Sequence, residues 1–443
     1  MIRKHSFRGV GAGFAASVLA LAVSAQVFAG TVTTDGADIV VKTKGGLEVA
    51  TTDKAFSFKI GGRLQVDADS FDGFYTANGN RADETYLRRA RLEISGVAYQ
   101  DWEYTFNRNF GDSGSDDDWD EASISYTGFK PVTLTVGRID PTFGLEEAVS
   151  SKWITAIERS AIYDLAPWVN DHLNGEGVRL RTTLGDVFHG EVGAYRQNLG
   201  DSNEFFQNED GENNHAFVMR GVFAPIVEAD QVLHFGLSYA TRDVEEGFRE
   251  RIRSRLSVRG TTEDEVNGNR ATYGDAFLDG DDSAYGLEAA YMIGPFSVQG
   301  EYLSRQADGS EALNGNDNDL EASGYNVQLA YTLTGESRGY KLDGGKFDKI
   351  KPNDKQLGAW EVFYRYDDIT VDETPRLPSS AVAGLTVDSI EAGAKVHTLG
   401  VNWYANEAVK VSANYLKAAA DDVENDNGDD DGDAVSLRLQ YVF

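Results

Sequence analysis

The chain has 443 residues, no cysteine, and 41 Lys+Arg against 72 Asp+Glu, for a net charge of -31. That balance excludes disulfide frameworks and thiolate metal sites and leaves no nucleic-acid partner to expect. Mean hydropathy is -0.40, and past the first residues no uninterrupted apolar run is long enough for a spanning helix, so a helical membrane protein is excluded too.

The chain opens with Arg3, Lys4, His5 and Arg8, an apolar stretch from Val10 to Val23, and Val27-Phe28-Ala29 ahead of Gly30. This is the pattern of an export signal over residues 1–29, removed on export. An uncleaved anchor is the alternative, but the apolar run is shorter than the roughly 20 residues that span a bilayer, and a small-residue cleavage site closes it. Removal leaves 414 residues with 38 Lys+Arg against 72 Asp+Glu, a charge of -34. Residues 30–55 are expected to form an N-terminal periplasmic segment and residues 56–443 one barrel. Carboxylates gather in runs that read as solvated loops: Asp116, Asp117, Asp118 and Asp120, then a stretch from Asp421 to Asp433.

A strand between lipid and water alternates apolar and polar side chains over about ten residues. Phe56, Phe58, Ile60, Leu64 and Val66 alternate with Ser57, Lys59, Arg63, Gln65 and Asp67. Further along, Ala90, Leu92 and Ile94 oppose Arg89, Arg91 and Glu93, and Trp102, Tyr104 and Phe106 oppose Glu103, Thr105 and Asn107. The pattern recurs at Leu233 to Tyr239, Tyr285 to Tyr291, Tyr325 to Tyr331, Trp360 to Tyr366 and Val435 to Phe443. With weaker segments near residues 122, 132, 178, 188, 217, 296, 399 and 409 the total is about sixteen strands. The expected fold is all-β, a 16-stranded antiparallel transmembrane β-barrel with pore-constricting inward loops. A water-soluble β-sandwich also alternates, but it would need a second apolar layer to cover the recurring Phe, Leu, Val and Tyr face.

Short and long connections alternate, as the two rims of such a barrel require. One connection breaks the rule: Gly335 to Lys355 is long where a short turn belongs, and carries Lys341, Lys346, Lys349, Lys351 and Lys355. Trp102, Tyr126, Tyr195, Tyr239, Tyr302, Tyr331 and Trp403 are expected in interfacial girdles.

A sixteen-stranded bore is water-filled, so its selectivity comes from what narrows it. The loop from Ile139 to Gly177 is the first candidate, because Trp153, Ile154, Ile157, Ile162, Leu165 and Trp168 give it an apolar face to pack. The second, Asp243 to Asp282, holds Arg249, Arg251, Arg253, Arg255 and Arg259, which alternation would set in a ladder. Arginine forks suit oxyanions; the alternative is that Glu245, Glu246, Glu250, Asp264 and Glu265 pair with them on an ordinary surface loop. Catalysis would need a nucleophile beside a base, and His172, His189, His215, His234 and His397 sit in no such motif. His189 and His234 are expected as hydrogen-bonded pore residues.

The blocks YLRRARLE, DEASISYTGF, FGLEEAVSSKW, QLAYTLTGE, YKLDGGKFDKIKP, HTLGVNWYANEAVKVSANY and LRLQYVF, with the segment after Ala29, resemble the phosphate-selective porins O and P over nearly the whole chain. The resemblance implies a homotrimer in the bacterial outer membrane, in contact with bilayer and lipopolysaccharide. It also implies passive diffusion of small anions (phosphate, pyrophosphate, chloride) past an arginine ladder, with no cofactor. Carried over residue by residue, it marks Arg63, Arg88, Arg89, Asp120, Ser150, Ser151, Arg159, Arg251, Arg253, Arg255 and Arg259.

The chain departs from that pattern at Glu147 and Glu103, where the family has lysines, and at Arg91 and Asp140, where it has tyrosines. Exchanging a cation for a carboxylate changes local charge by two units. Arg91 is expected to offset Glu147 in a salt-bridged constriction, and a channel of altered or cation selectivity is the alternative. Asp426 to Asp433 resembles a calcium loop but lacks the bidentate Glu, so a solvated acidic loop is expected, with divalent bridging to lipopolysaccharide as the alternative.

Overall fold

In the computed structural model, residues 30–33, 38–43, 45–111, 119–170, 176–197, 214–260, 269–309, 319–375, 389–423, 425 and 427–443 are described. The signal stretch, Asp116 to Asp118, His172, Glu424 and Asp426 lie outside them. Strands β1 (Gly30–Thr33), β2 (Asp38–Lys42) and β3 (Leu47–Thr51) form an antiparallel meander whose last member pairs with the start of the wall.

The wall itself begins with β4 (Ser57–Phe71), β5 (Ala82–Ala98), β6 (Trp102–Asn109), β7 (Trp119–Tyr126) and β8 (Val132–Arg138). It continues through β9 (Glu176–Leu184), β10 (Phe188–Gln197), β11 (Asn214–Val227), β12 (Gln231–Ser254), β13 (Ala271–Ile293) and β14 (Phe296–Gly309). Beyond β15 (Leu320–Thr332) the chain leaves the wall for a hairpin, β16 (Arg338–Lys341) and β17 (Lys346–Ile350). It then returns as β18 (Ala359–Pro375), β19 (Ser389–Tyr404), β20 (Val409–Asp421) and β21 (Asp431–Val442).

Every wall strand pairs antiparallel with its neighbours, and β21 closes on β4 from Ala434 opposite Phe71 to Val442 opposite Arg63. Sixteen strands thus close with no free edge in the wall, which satisfies the backbone in hydrocarbon. The outward face carries exposed apolar side chains such as Leu287 (54%), Leu237 (55%) and Leu437 (49%). Their neighbours one residue on, such as Ser238, Glu288 and Arg438, are buried inside. Tyr195 departs from the expected girdle: it points inward and is 3% exposed, because its strand parity is that of His189 and Glu191.

Inside, the connection from Ile139 to Asn170 lies folded in the bore. Its Ile162, Leu165 and Trp168 pack with Phe143, Leu303 and Leu320 in one apolar cluster. Two wall glycines let it approach. A Cβ on Gly286 would stand 2.9 Å from the Phe143 ring, and one on Gly324 would stand 2.9 Å from Ile162. The segment from Asp243 to Asp282 is not a plain loop, since β12 and β13 carry on as a paired hairpin to Ser254 and Ala271. The irregular basic connection, residues 335–355, also turns inward: Phe347 is buried with Leu145, Val149, Ile154 and Val232, and Arg220 donates to the Gly344 and Gly345 carbonyls at 3.1 and 2.8 Å.

A charge placed on the lipid face has no partner there. Leu287→Arg is expected to cost about 2–4 kcal/mol if the site lies near the bilayer midplane, measured by guanidinium unfolding of vesicle-inserted protein.

Candidate functional site

The inward loop covers one side of the bore. Inward side chains of β15 and β18 to β21, including Asn326, Arg365, Asn402, Lys410 and Arg438, are buried beneath it. On β9 the inward Arg179 and Arg181 are only half-buried, so this side of the bore stays open to water.

Between residues 151 and 159 the loop turns and bends with no strand paired to it, and side chains of the wall and of the β16 hairpin supply its donors. Gln65 donates to the Ser151 carbonyl (3.3 Å), Gln440 to Lys152 (3.0 Å) and Arg338 to Trp153 (3.0 Å). Lys410 donates to Ile154 (2.9 Å), Asn402 to Thr155 (2.8 Å), Arg438 to Ile157 (2.5 Å) and Arg365 to Glu158 (3.0 Å). On the other limb, Glu301 accepts from the backbone N–H of Leu145 and from the Tyr163 hydroxyl, each at 2.6 Å. Wall arginines and lysines are therefore divided between holding this loop and facing the bore. That division carries no sequence periodicity, and reasoning from the sequence missed Arg338, Arg365, Lys410 and Arg438 because of it.

The centre of the site is Glu158. Its carboxylate is 2.9 Å from Arg88, 2.5 Å from Arg438, 3.6 Å from Arg259 and 3.8 Å from Arg89. Burial by itself would raise this loop carboxyl, yet the guanidiniums of Arg88, Arg438, Arg89 and Arg259 hold it well below the usual carboxylate range. Arg88 and Arg89 are consecutive, and alternation would send them to opposite faces. A bulge resolves this: Gln65 pairs with Arg89 and Val66 with Leu87, leaving Arg88 as the extra residue.

Arg63 hydrogen-bonds Ser151 Oγ and lies 2.9 Å from Glu93, which also takes Lys152 at 2.8 Å. The Ser150 carbonyl accepts from the Trp153 N–H at 2.7 Å, closing the turn beside Ser151. The expected offset of Glu147 by Arg91 is corrected. Arg91 pairs with Asp120, which Asn107 also binds at 2.7 Å, whereas Glu147 lies 2.8 Å from Arg159. Residue 159 follows Glu158 on the same loop and turns back onto the Leu145–Ala148 turn, so it reaches Glu147 first.

The hairpin arginines do not all converge. Arg259 reaches Glu158, whereas Arg253 is exposed and shares neither the burial nor the strand face of Glu250, Ile252 and Ser254. Arg255 is half-buried just beyond the strand end, and the Arg251 side chain lies outside the described residues. Glu103 is one residue from the start of β6, opposite Val97, at the short-turn rim rather than in this cluster. His234 hydrogen-bonds the Tyr340 hydroxyl at 2.7 Å, and His189 lies 3.3 Å from Thr183 Oγ1. Among the described residues no group of His, Asp and Glu could hold a metal ion.

A closed wall, apolar outside and charged within, narrowed by an inward loop around which arginines of other segments gather, defines an outer-membrane diffusion channel, a porin. The family model of the phosphate-selective porins O and P matches residues 58–443. Porin O of Pseudomonas aeruginosa is 54% identical over 460 residues, covering all of both chains. Among solved structures, an anion-selective porin from Comamonas acidovorans superposes with a TM-score of 0.53 at 12% identity, covering 88% of this chain and 100% of that one. A trimer form of OmpT from Vibrio cholerae does so with a TM-score of 0.52 at 12% identity, covering 88% and 100%. The chain belongs to the phosphate-selective porin O and P family. It is an anion-selective channel of the bacterial outer membrane and not an enzyme.

Glu158→Gln removes the shared counter-charge of Arg88 and Arg438. Breaking a buried pair from one side costs about 3–5 kcal/mol, so the thermal transition of the folded channel is expected to fall.

Proposed function

We propose that the anions carried are phosphate-type oxyanions, phosphate or pyrophosphate, drawn past Arg63, Arg88, Arg89, Arg91, Arg159 and Arg259. The observation that carries this reading is the gathering of Arg88, Arg89, Arg259 and Arg438 around Glu158. Guanidinium forks match tetrahedral oxyanions, and within a narrow bore near charges outweigh the distant, screened net charge of -31. Arg255, half-buried at the end of the hairpin, forms the outer part of the path in this reading, and Asp120, Ser150 and Ser151 support the constriction.

Export by a signal over residues 1–29, a periplasmic N-terminal segment and assembly as a homotrimer complete the proposal. Membrane-extracted protein is expected to begin at Gly30 on N-terminal sequencing.

In planar bilayers, phosphate and pyrophosphate are expected to reduce chloride current in a concentration-dependent way, and a current indifferent to both would overturn the reading. Arg259→Ala, whose side chain is 36% exposed, is expected to lower the anion-over-cation permeability ratio about twofold or more.

A further inference from the structure

We propose that Glu147 is a tethered counter-anion, a specificity-determining carboxylate that occupies the Arg159 guanidinium and that an incoming oxyanion has to displace. The inference rests on the anion reading above and goes on to how firmly the site holds its solute. Glu147 Oε2 lies 2.8 Å from Arg159 Nε, and the two side chains keep 15% and 24% of their exposure, so the pair borders the water of the bore. The same Nε also donates to the Glu146 carbonyl at 3.3 Å, and a terminal nitrogen donates to the Val149 carbonyl at 3.1 Å. An oxyanion that arrives at Arg159 meets a fork whose Nε edge is already taken by a carboxylate and whose remainder is drawn onto loop backbone.

Displacement also has an electrostatic cost. A freed Glu147 is a like charge beside the solute, and Asp120, Glu121 and Asp140 lie within Coulombic reach of the same patch. Nearby, Arg63, Arg88 and Arg89 outnumber their carboxylate partners Glu93 and Glu158, so the constriction still attracts the solute. Attraction from these arginines together with a resident competitor at Arg159 gives entry without firm lodging, which is what rapid permeation requires. Glu147 thereby sets this channel toward passage of oxyanions rather than their retention.

The test is single-channel recording in planar bilayers of the full protein and of Glu147→Gln and Glu147→Lys. The Gln variant is nearly isosteric, so it keeps the comparison available if the Lys variant assembles poorly. The half-blocking concentration of inorganic phosphate is expected to fall about tenfold in Glu147→Gln and further in Glu147→Lys. The anion-over-cation permeability ratio should rise in the same order. Block that is unchanged in both variants, or a changed chloride conductance with no ordering by charge, overturns the role of Glu147 while leaving the anion reading intact. A cation-selective reversal potential in the unaltered channel overturns that reading itself and this proposal with it.

Discussion

A stretch of backbone that leaves a β-barrel wall and enters the bore has no strand beside it, yet its carbonyl groups are buried and must still be satisfied. In this protein the wall solves the problem with side chains. Gln65, Gln440, Arg338, Lys410, Asn402, Arg438 and Arg365 reach inward from β4, β18, β19, β20, β21 and the inward hairpin connection, and each takes a carbonyl between Ser151 and Glu158. The constriction is thus held by hydrogen bonds from many strands, so its position is tied to the closure of the barrel as a whole.

That arrangement requires cations in a buried place, and buried cations require counter-charges. Arg438 is held by Asp67 at 2.7 Å and Arg365 by Asp367 at 3.0 Å. Arg305 is held by Asp282 at 2.7 Å and Arg220 by Glu288 at 2.8 Å. Carboxylates on the inner wall therefore serve the structure before they serve the solute. An acidic chain can thus still build an anion channel, because these inner carboxylates are matched by arginines while others, such as Asp421, Asp429, Asp430 and Asp431, are exposed at the far end of β20 and β21. The groups left at the water path, on the β9 side and on Arg259, set the local field.

Glu158 and Glu147 are both loop carboxylates with arginine partners, but Glu158 is 4% exposed and shared among several guanidiniums, whereas the Glu147 side chain is 15% exposed and lies 2.8 Å from Arg159 at the edge of the bore. A deeply shared carboxylate fixes geometry. A partly wetted carboxylate beside a partly wetted guanidinium can be exchanged for a solute.

The sequence by itself determined the barrel, its sixteen strands and the apolar loop meant to fill it, because period-two alternation and loop composition are local properties that each segment carries alone. Phe56 to Asp67 and Val435 to Phe443 read as lipid-facing strands with no knowledge of what they pair with. Only the tertiary structure decided which charges meet. The bulge that turns both Arg88 and Arg89 inward follows from register against β4, and the pairing of Glu147 with Arg159 rather than Arg91 follows from how the loop doubles back. The inward turn of Tyr195 and the seating of the Gly335 to Lys355 connection in the mouth are set by neighbours distant in the chain. Ion pairs and hydrogen bonds form between residues hundreds of positions apart, as with Arg438 and Glu158, and such distances leave no periodic trace in the order of amino acids.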